Sequence, residues 1–106
     1  MNRLDLLLQL QKEQPDDPFI LYGIALEHQK NNAVEEASVC YDQLLNTFPT
    51  YLPSYYQAAA HFAEAGEHNK AFRIYDTGIE LAQKQNEIKT LAELKNARQN
   101  LEIELM

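Results

Sequence analysis

The chain has 106 residues, with nine Lys and Arg against sixteen Asp and Glu, for a formal charge of −7. An acidic surface is repelled by phosphate, which argues against nucleic acid and anionic membrane as partners. Hydrophobic content of 45% with three Gly and four Pro describes a globular chain, not a disordered or collagen-like one, and its size is that of a single domain spanning residues 1–106. The one cysteine, Cys40, excludes a disulfide framework within the chain. Leu6–Leu7–Leu8 is flanked by Asp5 and Gln9, too short and polar for a signal-peptide core. No apolar run approaches the roughly 20 residues of a membrane span. The expected compartment is the cytoplasm.

The spacing predicts a helix over residues 2–14, with Leu4, Leu7 and Leu8 on one face and Leu6 and Leu10 broadening it. Pro15 stops it, because the residue before a proline leaves the helical region. Asp16–Asp17–Pro18 restarts the chain, with a carboxylate cap and a proline in the first turn. The second helix runs from about Pro18 to Lys30, burying Ile20, Leu21, Ile24, Ala25 and His28. Asn31–Asn32 is a turn. The third helix, from about Ala33 to Phe48, buries Ala37, Cys40, Tyr41, Leu44 and Leu45, and Pro49 closes it. The fourth, from about Pro53 to Ala65, turns Tyr55, Ala58, Ala59 and Phe62 inward and ends at Gly66. The fifth, from about Glu67 to Lys84, turns Ala71, Ile74, Tyr75, Gly78 and Ile79 inward. A weaker break is expected at Gln85–Asn86. The last helix, from about Glu87 to Met106, carries Leu91, Leu94, Leu101 and Leu105 with Arg98 among them.

One pattern is written twice. Shifted by 34 positions, Leu21 falls on Tyr55, Ala25 on Ala59, Ala37 on Ala71 and Tyr41 on Tyr75. A fixed period of this length marks a helix–turn–helix repeat. The paired alanines let two antiparallel helices approach closely. The tyrosines fill space further along, and stacking builds the core that one pair cannot.

On these residues the chain resembles the tetratricopeptide repeat family. The family's large early residue is met by Leu21 and Tyr55, its small helix-A residue by Ala25 and Ala59, its helix-B alanine by Ala37 and Ala71, and its aromatic by Tyr41 and Tyr75. Departures are Ile24 and Ala58 for Leu, His28 and Phe62 for Tyr, and Leu44 and Gly78 for Ala; the closing Pro is Pro49 in one copy and Gln83 in the other. The resemblance implies an all-α fold of about six helices, an α-solenoid of antiparallel helix pairs in a right-handed superhelix. Its parts would be helix B of a truncated repeat (2–14, with Leu7, Leu10 and Pro15 in register), repeats at 18–51 and 52–85, and a C-terminal capping helix at 86–106. Glu93 stands where a further repeat would be small, which favours a cap.

No catalytic, metal or cofactor constellation emerges. His28 takes a core position, and His61 and His68 lack a Cys or carboxylate at ligand spacing. Cys40 reads as a small buried hydrophobe. Glu35–Glu36 and Asp16–Asp17 sit where carboxylates favour a helix dipole. There is no phosphate loop and no Ser–His–Asp ordering, so an enzyme is not expected.

In the resembled family the A helices line a concave groove that holds extended peptides or helices. Carried over by position, that face is Phe19, Tyr22, Leu26 and Gln29, then Pro53, Tyr56, Gln57, Ala60 and Ala63. Several are large and apolar yet not needed by the helix-pair core, which marks a contact surface; the alternative is that the chain's own last helix covers them. Relatives that clamp a C-terminal carboxylate use Lys and Asn where this chain has Tyr22, Leu26 and Gln57, so that activity is not expected. The expected function is a non-enzymatic interaction or scaffold module for a protein or peptide. The alternatives are a self-associating structural protein, a homodimer through Leu101, Ile103 and Leu105, and a regulatory domain of a larger chain.

Overall fold

A computed structural model describes residues 2–106. These form six helices: α1 (Arg3–Glu13), α2 (Pro18–Lys30), α3 (Val34–Thr47), α4 (Pro53–Glu64), α5 (His68–Lys84) and α6 (Ile88–Glu104). Every element expected from the periodicity is present, and each boundary falls within two residues of its expected place. The helices gather into two compact units, Met1–Tyr51 and Leu52–Met106, divided where the second repeat begins.

In the first unit α2 packs on both α1 and α3. The starts of α1 and α2 are capped by side chains. Asn2 Oδ1 accepts from the Asp5 N–H at 2.8 Å, and Asp17 Oδ1 from the Phe19 N–H at 2.9 Å. Each satisfies one of the amides a helix start leaves open. The core is Ile20, Leu21, Ile24 and Ala25 of α2 against Ala37, Tyr41 and Leu44 of α3. His28, Cys40 and Leu45 are only half-buried. No described residue of α1 is fully buried: Leu4, Leu7 and Leu10 are half-covered, while Leu6 and Leu8 are exposed. The reason is that α1 packs mainly on α2. It seats Leu7 over Gly23, whose missing side chain leaves the space: a Cβ there would lie 3.3 Å from Leu7 Cδ2. Arg3 and Glu27 add an ion pair at 2.9 Å.

In the second unit α4 packs on α5, α5 on α6, and α6 also reaches α4. Tyr55, Ala58, Ala59 and Phe62 of α4 are buried with Ala71, Ile74, Tyr75 and Ala82 of α5. The central contact is at Gly78. A Cβ placed there would meet Tyr55 Cβ at 2.9 Å and Leu94 Cδ1 at 3.2 Å, so the absence of a side chain is what lets these helices close. Leu94 of α6 is fully buried. Arg98 Nε pairs with Asp76 at 2.6 Å, its Nη1 with Glu102, and the guanidinium lies 5.0 Å from the centre of the Phe72 ring. Arg98 is thus a tie between α6 and α5.

The turns come in two kinds. Gln14 and Phe48, 34 positions apart, have nearly the same backbone (φ −134, ψ 67 and φ −125, ψ 60). Each precedes a proline and accepts a turn hydrogen bond from the residue three further on, Asp17 or Tyr51. The other kind closes α2, α4 and α5. Here Asn32 (φ 59), Gly66 (φ 86) and Asn86 (φ 58) take the left-handed conformation. The next amide then bonds back to the carbonyl five residues earlier: Ala33 to His28, Glu67 to Phe62 and Glu87 to Ala82. This is the doubly bonded helix ending that glycine and asparagine favour.

Two expectations are corrected. The break at Gln85–Asn86 is not weak. Without a proline near residue 83, α5 continues to Lys84 and then closes with full hydrogen bonding on Asn86. Leu101 is not exposed: it is 6% accessible, while Ile103 and Leu105 stand at 58% and 46%. Leu101 lies seven residues, two turns, after the buried Leu94, on the face that α6 turns to α4 and α5.

Candidate functional site

The α2 set belongs to the first unit. Phe19 is 68% exposed. Tyr22 is half-buried, its ring edge-on to Tyr51 with centroids 5.9 Å apart and planes at 64°. Burial raises the Tyr22 hydroxyl above its ordinary value, and Tyr51 adds to the shift. Leu26 is half-buried. Gln29 Oε1 accepts from the Tyr41 hydroxyl, so this amide is engaged within the unit. It satisfies a phenol that burial, with smaller contributions from Tyr22 and Cys40, holds far above the usual range. Of the four, Phe19 is the one that presents most of its surface. Tyr51 was missed by the sequence reading, since a linker residue carries no helical periodicity.

The α4 set belongs to the second unit. Pro53 and Tyr56 are exposed, Tyr56 at 40%, and Gln57, Ala60 and Ala63 are half-buried. Tyr56, Ala60 and Ala63 form one wall of a cleft of about 340 Å³. Ala97, Asn100, Leu101, Glu104 and Leu105 of α6 form the facing wall. Glu64 of α4 and His68 and Tyr75 of α5 also line it. Pro53 and Gln57 are outside it. The last helix therefore flanks this face and leaves an open slot. The sequence reading assigned Tyr75 to the core. A buried phenol also has to place its hydroxyl, and asking where that of Tyr75 goes is the signal that would have found the cleft.

The other polar groups have structural surroundings. His61 is buried, edge-on to Phe62 at 5.2 Å. Lys70 Nζ lies 3.9 Å from the centre of the Phe62 ring. The Cys40 thiol is raised by burial and then by Glu36, which lowers the thiolate fraction that a nucleophile needs. Among the described residues no group of three or more His, Cys, Asp or Glu is placed to hold a metal, and no helix is long and apolar enough to cross a membrane.

No protein-family model and no curated protein matches the chain. Solved structures do. The solution NMR structure of a tetratricopeptide repeat domain protein from Salinibacter ruber is 31% identical with a TM-score of 0.80, over 84% of this chain and 90% of that one. A crystal structure under the same description and from the same organism is 31% identical with a TM-score of 0.77, over 81% and 97%.

Proposed function

This chain belongs to the tetratricopeptide repeat family, and from that premise we propose that it binds a segment of a partner protein through side chains its units leave exposed, Phe19 on α2 in the first and Tyr56 on α4 in the second. The fold is one generally used for protein interaction, not for catalysis. The observation that carries the reading is the exposure of aromatic side chains that neither unit's core uses, Phe19 on α2 and Tyr56 on α4. Large aromatic groups supply most of the energy of many protein contacts. Gln29 contributes less to this reading than the other expected positions, since its amide already serves Tyr41.

The test is affinity capture from native lysate with wild type, Phe19→Ala, Tyr56→Ala and the double variant. These positions are exposed, so the variants keep the wild-type melting temperature, whereas Tyr22→Ala would also strip the contact with Tyr51. Partners retained by wild type and lost in the double variant support the reading; identical sets sink it. A second reading, self-association, draws on the exposed Ile103 and Leu105 of α6. It predicts a dimer in sedimentation equilibrium that Ile103→Lys/Leu105→Lys disperses. A species that stays monomeric at high concentration removes it.

A further inference from the structure

We propose that the cleft between α4 and α6 in the second unit receives a cationic side chain, Lys or Arg, from the partner's peptide segment. This rests on the partner-binding reading above and names the chemistry of what is bound.

Three observations carry it. The slot is lined along its length by Ala60, Ala63, Ala97 and Leu101, apolar surface suited to the methylene stem of a long basic side chain. Its other lining residues include two exposed carboxylates, Glu64 and Glu104, and no Lys or Arg. Third, Tyr75 is 4% exposed, yet its hydroxyl makes no hydrogen bond with any described residue. No described polar side-chain atom is sealed in without a partner, so this oxygen keeps some accessible surface, and Tyr75 is among the residues that line the cleft. Burial raises the hydroxyl, and then Tyr56 and Glu104 raise it further, which puts the Glu104 carboxylate within electrostatic reach. A cation in the slot would meet a phenol oxygen as acceptor and a carboxylate as counter-charge, beside the aromatic ring of Tyr56.

Other occupants fit less well. An acidic segment meets Glu64 and Glu104 inside a chain of net charge −7. A wholly apolar one covers the Tyr75 hydroxyl and the carboxylates without replacing their water, which costs free energy. A basic segment is instead drawn in by the field of the whole chain.

The test uses the full chain, isotope-labelled for amide NMR, titrated with three capped peptides: acetyl-Ala-Leu-Arg-Leu-Ala-amide and its counterparts with Gln or Glu in place of Arg. The Arg peptide is expected to shift the amides of Ala60, Asn100 and Leu101 saturably. The Gln peptide binds at least about threefold more weakly, and the Glu peptide more weakly still. Glu64→Gln/Glu104→Gln, at exposed positions, lowers affinity for the Arg peptide by about threefold or more and leaves the Gln peptide unchanged. Tyr75→Phe, which removes only the hydroxyl, also weakens the Arg peptide. Equal binding of all three peptides, shifts scattered outside the cleft, or indifference to the Gln double variant overturns the proposal. Silence toward every peptide overturns it too. If capture still depends on Phe19 and Tyr56, only the cleft chemistry has failed; if that capture is lost as well, the partner-binding reading falls with it.

Discussion

Two glycines inside helices do opposite things. At Gly78 an added methyl would press on the stem of Tyr55, with Cβ to Cβ at 2.9 Å, and that stem moves only with the α4 backbone. At Gly23 the nearest atom is the free end of Leu7, at 3.3 Å, which can swing aside. Alanine gains up to about 1 kcal/mol over glycine in a helix interior, while overpacking a core costs about 1–3 kcal/mol. Gly78→Ala is therefore expected to lower stability by about 1 kcal/mol net. Gly23→Ala is expected to raise it by up to about 1 kcal/mol, both read as shifts in the urea midpoint at constant slope. A gain at position 78 would mean that α4 and α5 part more easily than this contact implies. The role of Gly78 was half-legible in the sequence. The repeat pattern put a small residue there and turned it inward, but not the reason for having less than alanine, which is the convergence of Tyr55 and Leu94 on one point.

Among the elements, α6 was the least readable. Its stripe of leucines located Leu94 and Leu101, but periodicity does not say how many neighbours a helix has, and α6 has two, α5 and α4, with Leu101 buried. Arg98 interrupts that stripe without harm because it reaches sideways to Asp76, Glu102 and the Phe72 ring. Exposed ion pairs contribute about 0.2–1 kcal/mol each and weaken in salt. Arg98→Met should keep most of the stem's packing and cost about 1 kcal/mol at low ionic strength, with the loss shrinking in high salt. An equal loss at all salt concentrations would make Arg98 a packing residue only. The α5–α6 turn gives a second check. Asn86→Ala puts a Cβ-bearing residue with no local hydrogen bonding in the left-handed region, at a cost of about 1 kcal/mol. Asn86→Gly should be neutral or slightly stabilising. If both substitutions fall together in a thermal melt, the asparagine acts through its side chain and not its backbone.

At the scale of the molecule the burial of phenols sets an alkaline limit. Tyr22, Tyr41, Tyr51, Tyr55 and Tyr75 are all raised above their ordinary value, with burial as the first cause in each. A group raised in the folded state holds its proton there after the unfolded chain has released it. Their contribution is therefore complete below the ordinary phenol value near 10 and is lost as pH climbs through the raised values. Stability should be level with respect to these groups at neutral pH and fall above about pH 10, with tyrosinate absorbance rising in step with unfolding. Tyrosinate appearing well before any loss of helix would contradict the burial. The fold was legible almost whole, because 34-residue self-similarity is written in core residues. The cleft was not, because it depends on how the second half of α6 lies against α4, and no local pattern encodes that. The turns carry a further consequence. Positions 14 and 48 share a conformation but not a residue, and so do positions 32 and 66. What recurs at the 34-residue period is a path of the backbone. The letters at its bends differ, Asn at 32 against Gly at 66 and Gln at 14 against Phe at 48. Kinship that is plain in coordinates can therefore be faint in a residue profile, and this chain matches solved repeats but no family model.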